Sequence, residues 1–194
     1  MQIITVHSEV QCLIFDCDGT LADTMPLHLD AWGEAFATIG KTCPRDFLDQ
    51  FNGVPAEKIV ENVNEAFGYG LDVREITKEK QRRVRKKLLH AEPIEPVVEI
   101  AVRYKKRLPM AVVSGGIRTN VDLTLEAIGL NNFFDTVITA DDPVKPKPSP
   151  EIFLEAARRL NVEPLYCQVF EDGDSGIEAA RKAGMIVTDV RLFV

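Results

Sequence analysis

The 194-residue sequence predicts an α/β fold: a parallel sheet wrapped by helices, with a small all-helical unit inserted into it. Strand-like apolar runs alternate with helical-period segments along most of the chain, the pattern of a parallel sheet covered by helices. Between Pro26 and about Leu89 the strand pattern stops and helical spacing takes over. Charged and hydroxyl residues gather where strands give way to helices, so one sheet edge would collect them.

The first strand ends in Val-Gln-Cys-Leu-Ile-Phe-Asp-Cys-Asp-Gly-Thr, residues 10–20. A short apolar run meets two carboxylates two positions apart, and Gly-Thr then signals a turn. Asp16 and Asp18 are expected on the last extended positions, both aimed to one side by the period-2 geometry. They would lie at the carboxyl edge, where open α/β sheets hold ligands. Two anions so close repel unless a cation or proton lies between them, which suggests a hard divalent metal such as Mg²⁺. The structural alternative is a surface turn rich in Asp and Gly.

The helical stretch comes next. Leu27, Ala31, Trp32, Ala35, Phe36 and Ile39 recur at helical spacing and end at Gly40; Ile59, Val63, Ala66 and Phe67 repeat the pattern before Gly68. These stripes read as packing faces. Lys78–Lys87 holds seven basic residues in ten. It is either a nucleic-acid patch or a solvated helix face, and the acidic balance of the chain favours the latter. One or two of these cations would turn inward to attract a phosphate. The insertion is read as residues 23–88, hinged near Leu21–Asp23 and Leu89–Pro96, with the core domain at 1–22 and 89–194.

Strand patterns resume at Pro109–Ser114, Thr136–Ala140, Tyr166–Asp172 and Met185–Val190. Helical segments fall at about Ile94–Arg107, Ile117–Ile128, Pro150–Leu160 and Ser175–Ala183. Ser114, followed by Gly115 and Gly116, offers a hydroxyl and free N–H groups to a phosphate at a helix start, or is an ordinary N-cap. Lys147 sits in a stiff Lys-Pro-Ser-Pro loop that would fix one positive charge, with Lys145 as a rival. Glu171 and Asp172 end an apolar strand, where unpaired charge is costly, or form an acidic cluster favoured by a helix dipole.

Length fits one substantial core plus a small inserted unit. The net formal charge is −7, so neither nucleic acid nor an anionic membrane is an expected partner. The four cysteines, Cys12, Cys17, Cys43 and Cys167, form no CxxC pair. They read as free thiols in a reducing, cytoplasmic setting. The N-terminus carries no long apolar stretch that would mark a signal peptide or membrane span.

These residues carry a resemblance. Asp16–Thr20 (DCDGT) resembles the first motif of the haloacid-dehalogenase-like superfamily, and VVSGG, ending at Gly116, its second. Lys147–Glu151 (KPSPE) resembles the third and Phe170–Gly176 (FEDGDSG) the fourth. The intervening segment resembles the helical cap of the β-phosphoglucomutase-like branch. Within that branch Asp23-Thr24, the His28…Ala31-Trp32 spacing, Asn52-Gly53-Val54-Pro55 and the ending GMIVTDVRLF are similar to bacterial fructose-1-phosphate phosphatases.

The resemblance implies a Rossmann-like core and Mg²⁺-dependent hydrolysis of a small phosphorylated sugar by a monomer or weak homo-oligomer. It makes Asp16 the nucleophile and Asp18 the acid–base group, protonated part of the time near neutral pH. Asp16, Asp18 through its backbone carbonyl, Asp172 and Glu171 would hold the metal. Lys147, Ser114 and the N–H groups around Gly115 and Gly116 would hold the phosphoryl oxygens, with Thr20 supporting the loop. His28, Asn52, Gly53 and Lys80 would face the sugar, although His28 is equally read as a satisfied histidine at a helix start. Val54-Pro55-Ala56-Glu57 lacks the arginine that β-phosphoglucomutases carry there to grip a second phosphate, which favours hydrolysis over mutase chemistry. Pro93–Pro96, in place of the Pro-Gly of many relatives, affects the second hinge and not the chemistry. The rivals are a phosphosugar mutase and a non-catalytic phosphometabolite-binding protein.

Overall fold

The computed structural model describes residues 3–51 and 54–193. Within them five strands, β1 (Cys12–Phe15), β2 (Met110–Val113), β3 (Thr136–Ile138), β4 (Cys167–Glu171) and β5 (Ile186–Asp189), pair in parallel in the order β3-β2-β1-β4-β5. The central β1 lies between β2 and β4, so the connections diverge on either side of its carboxyl end. That divergence opens the crevice where such sheets place ligands.

The strands are short apolar runs because both faces are covered. Leu13, Phe15, Met110, Val112 and Phe170 pack into one buried cluster, while Cys12, Ile14, Ala111, Val113, Cys167 and Val169 pack into the other. Successive residues therefore alternate faces without alternating in polarity. Phe15 and Phe170 stack at 4.8 Å across the β1–β4 pair. The first face is covered by α5 (Glu95–Tyr104) and α6 (Arg118–Ala127), the second by α7 (Glu151–Leu160) and α8 (Asp174–Lys182).

Between β1 and α5 lie only helices among the described residues: α1 (Met25–Ala37), α2 (Arg45–Asp49), α3 (Ala56–Phe67) and α4 (Val73–Leu88). They share an apolar cluster of Trp32, Phe36, Leu48, Ile59, Val60, Val63 and Ile76. Ile39 and Ala66, expected in the packing stripes, are exposed instead. For Ile39 the reason is plain: α1 ends at Ala37, before the left-handed turn at Gly40, φ +66°. The two linkers run side by side, with Asp23 N donating to Glu92 O and Ile94 N to Leu21 O, both at 2.9 Å. No helix among the described residues is long and apolar enough to cross a membrane.

Candidate active site

Asp16 leaves β1 still in register, its N–H donating to Phe170 O at 3.0 Å. The chain then turns at once. Cys17 O accepts from the N–H groups of Leu21 and Ala22 at 3.0 and 3.1 Å, and Gly19 takes φ +88°. Asp18 therefore lies inside a tight turn and not on an extended strand position. The turn needs glycine twice over, because a Cβ on Gly19 would lie 2.3 Å from Asp172 Oδ2. Thr20 Oγ1 donates to the other Asp172 oxygen at 2.8 Å, tying the β1 turn to the end of β4.

Carboxylate oxygens of Asp16, Glu171 and Asp172 lie within 4.8 Å of one another. Lys147 Nζ reaches in from the β3–α7 connection and donates to Asp16 Oδ1 at 2.5 Å, Glu171 Oε1 at 2.6 Å and Val113 O at 3.2 Å. Its side chain is 7% exposed, and the nitrogen lies 5.4 Å above the Phe153 ring. Lys145, the rival, pairs with Glu151 on the surface. Glu171 also accepts from Gly173 N at 2.6 Å. Gly176 leaves it room, since a Cβ there would lie 1.7 Å from Glu171 Oε1.

Three carboxylates against one ammonium leave a buried deficit of two positive charges, which a divalent cation would fill. The proton affinities express the same deficit. Burial, with Glu171 and Asp172 adding to it, raises the Asp16 pKa well above the carboxylate range, and Lys147 only partly opposes it. Burial and Glu171 push Asp172 up to about 6. For Lys147, burial works downward, but Asp16 and Glu171 hold its pKa above the ordinary lysine value.

Asp18 is elsewhere. Its carboxylate is not part of the Asp16–Glu171–Asp172 group and instead meets the helical insertion. Thr24 Oγ1 donates to Asp18 Oδ1 at 2.6 Å, Ser114 Oγ lies 3.3 Å from Oδ2, and His28 Nε2 lies 3.6 Å from Oδ1. Lys80 Nζ sits 3.0 Å from His28 Nδ1 and over the Trp32 ring. An ammonium has no lone pair, so Nδ1 is the acceptor and Nε2 carries the hydrogen. That Nε2 is buried without a hydrogen-bond partner. Burial works to raise the Asp18 pKa, but His28, Thr24 and Lys80 outweigh it and lower it to about 2. The neighbours of Asp18 are donors and cations rather than the carboxylates that would favour its protonated form.

The remaining predicted residues fall around these two groups. Ser114 is not the N-cap of α6, a position held by Ile117; its hydroxyl accepts from Gly116 N at 2.9 Å and faces Asp18. Gly115 is exposed and Gly116 half-buried beside it. Lys80 is the one cation of the basic run to turn inward and be buried, while Arg82, Arg83 and Lys87 pair with Glu79 or Glu34 on the surface. Asn52 and Gly53 lie outside the described residues. Sequence reasoning missed Thr24 as a site residue. It stands at the N-cap of α1, yet its hydroxyl makes no cap bond and is spent on Asp18.

Residues 13–190 match the haloacid dehalogenase-like hydrolase family. The chain is 39% identical over 181 residues to fructose-1-phosphate phosphatase YqaB of Escherichia coli, covering 93% of this chain and 96% of that protein. It is 27% identical over 190 residues to β-phosphoglucomutase of Bacillus subtilis, covering 93% and 83%. Its fold superposes on crystalline CbbY from Rhodobacter sphaeroides, in complex with phosphate, with a TM-score of 0.83 at 24% identity, over 92% of this chain and 84% of that one. The chain belongs to the haloacid dehalogenase-like hydrolase family.

Proposed function

We propose that this phosphoric monoester hydrolase acts on a small phosphorylated sugar, with fructose 1-phosphate the leading candidate, through an aspartyl-phosphate on Asp16. The observation that carries the reading is the separation of roles around β1. Asp16 is buried against an ammonium and two carboxylates, whereas Asp18, two residues on, is held by Thr24 and His28 of the helical insertion. That separation supports a reading in which Asp16 attacks and Asp18 moves a proton. The 39% identity to a fructose-1-phosphate phosphatase supports the substrate class.

In this reading an Asp16 oxygen attacks phosphorus as the bond to the sugar oxygen breaks, and Asp18 passes its proton to the leaving alkoxide. Water then attacks the aspartyl-phosphate and gives its proton to Asp18; inorganic phosphate departs and Asp16 is restored. Asp18 takes the proton it donates from solvent as the dianionic phosphoryl group arrives beside it and favours its protonated form, and it regains that proton from the attacking water. Lys147, Ser114 and the amides after it hold the phosphoryl oxygens as charge redistributes. The carboxylates of Asp16 and Asp172, the backbone carbonyl of Asp18 and, directly or through water, Glu171 would hold Mg²⁺. When bound, that ion screens the anionic nucleophile from the anionic phosphate. Residues 23–88 act as a cap that excludes bulk water and reads the sugar.

The test is inorganic phosphate release with Mg²⁺ from fructose 1-phosphate, glucose 1-phosphate, glucose 6-phosphate and phosphoglycolate. Preference for one sugar phosphate supports the reading. Isomer accumulation without phosphate release, primed by a sugar bisphosphate, would replace it with mutase chemistry.

A further inference from the structure

Lys147 must deliver a buried ammonium to two carboxylates, yet none of residues 141–150, the segment that carries it, is buried. Its apolar anchorage is the half-buried Val144 against the α7 side of the sheet. With so little packing, the position of the segment depends heavily on polar ties. Apart from the exposed Lys145–Glu151 pair, those ties converge on Asp142, five residues before the lysine.

Asp142 Oδ2 accepts from Thr139 N at 2.9 Å, from Thr139 Oγ1 at 3.3 Å and from Arg118 Nη2 at 3.3 Å. Its other oxygen accepts from Arg159 Nη2 at 2.7 Å. Thr139 follows β3, Arg118 opens α6 and Arg159 lies on α7, so one carboxylate fastens three elements. Arg118 is itself held, donating from Nη2 to Val137 O at 2.7 Å and from its backbone N to Asp141 Oδ2 at 2.8 Å. Ala140 N donates to Gly116 O at 2.9 Å, which registers the same turn against the Ser114–Gly116 loop. The Asp142 side chain is 14% exposed, where charge-assisted bonds hold geometry better than surface pairs do. Burial works against its ionisation, but the Thr139 amide and the two guanidiniums outweigh it and keep the carboxyl below its ordinary pKa.

We propose that Asp142 is a positioning residue for Lys147: by pinning the β3–α7 connection between Arg118 and Arg159, it fixes where that connection delivers the ammonium. This rests on reading Lys147 as the group that holds the phosphoryl oxygens. A misplacement of about 1 Å at such a group costs roughly a hundredfold in rate, so loosening a loop without a packed anchor acts on turnover before it acts on folding.

The test is a double-mutant cycle on the full chain. Asp142→Ala lowers kcat by roughly ten- to a hundredfold in the wild-type background and by less than about twofold in Lys147→Ala. The cycle is read in parallel as the Kd of inorganic phosphate, so it closes even where Lys147→Ala turns over too slowly to measure. Glu155→Gln, which removes the other partner of Arg159, leaves kcat unchanged. Should Asp142→Ala fail to fold, Asp142→Asn keeps an acceptor for Thr139, drops both arginine pairs and enters the same cycle. Equal losses in both backgrounds, or an equal loss in Glu155→Gln, would overturn the proposal by making Asp142 a general brace. Unchanged hydrolysis in Lys147→Ala would instead remove the reading beneath it, and the proposal with it.

Discussion

The Thr24 hydroxyl donates to Asp18 Oδ1 across 2.6 Å, joining the first helix of the insertion to the carboxylate read as the acid–base group. A hydrogen bond to a charged group contributes about 1.5–3 kcal/mol, or roughly ten- to a hundredfold when it orients a reacting atom. Thr24→Val, nearly isosteric, is expected to lower kcat/KM by about tenfold with the fold retained. Steady-state kinetics beside a thermal melt check this; an unchanged kcat/KM would show that Asp18 is oriented by His28 and Ser114 alone.

Lys80 gives a pH signature. Burial lowers its pKa from 10.5 to about 8, with Asp18 opposing. Between those values the unfolded chain binds more protons than the folded one, so this group makes stability rise as pH rises from 8 to 10.5. Lys80→Met removes that contribution, on the order of 3 kcal/mol across the window. Urea midpoints of both proteins from pH 7 to 10.5 test it: the gap between them should shift in favour of the wild type as pH rises. A constant gap would place the folded pKa near its ordinary value.

Two glycines make opposite predictions. Gly176 faces Glu171, and its added Cβ would come 2.2 Å from Glu171 Cδ. Gly176→Ala is therefore expected to destabilise by about 1–3 kcal/mol and to remove most activity by displacing Glu171 from Lys147. Gly33, exposed on α1, has nothing within 4 Å of such a Cβ. Gly33→Ala should stabilise by about 1 kcal/mol and leave turnover alone. Denaturant curves with activity assays separate the two; equal effects would contradict the packing described around Glu171.

The cluster of Asp16, Glu171 and Asp172 predicts metal dependence. Chelator should abolish turnover and Mg²⁺ restore it, while excess Ca²⁺ inhibits because its longer, looser coordination misplaces the nucleophile. Undiminished rates in chelator would exclude a metal role for the cluster.

The sheet was legible because β1 and β2 are buried on both faces and read as unbroken apolar runs, and β4 is equally buried with only Gln168 interrupting its apolar residues before Glu171. The chemistry-bearing residues were legible because Asp16, Ser114 and Glu171 each fall at a strand end and Lys147 falls in the stiff proline-flanked loop before α7. Side-chain direction was not. Two carboxylates two residues apart suggest one shared ligand, yet the turn at Gly19 sends Asp18 to the insertion and leaves Asp16 with Glu171, 155 positions away. Nothing in the sequence singles out Thr24 or Asp142 as site residues, since their partners, Asp18 in one case and Arg118 and Arg159 in the other, are set by tertiary folding. Lys80 sits in a run of basic residues, and only the approach of α1 to α4 distinguishes it from its solvated neighbours.

Covalent phosphorylation of Asp16 is the most direct test. Acid quench within the first turnover of a sugar phosphate labelled in its phosphoryl group, followed by peptide mapping, should find transient label on the peptide containing Asp16. The label should be labile to base and absent from Asp16→Asn, which should also lack turnover. Label on another residue, or full hydrolysis by Asp16→Asn, would contradict the assignment of Asp16 as the nucleophile.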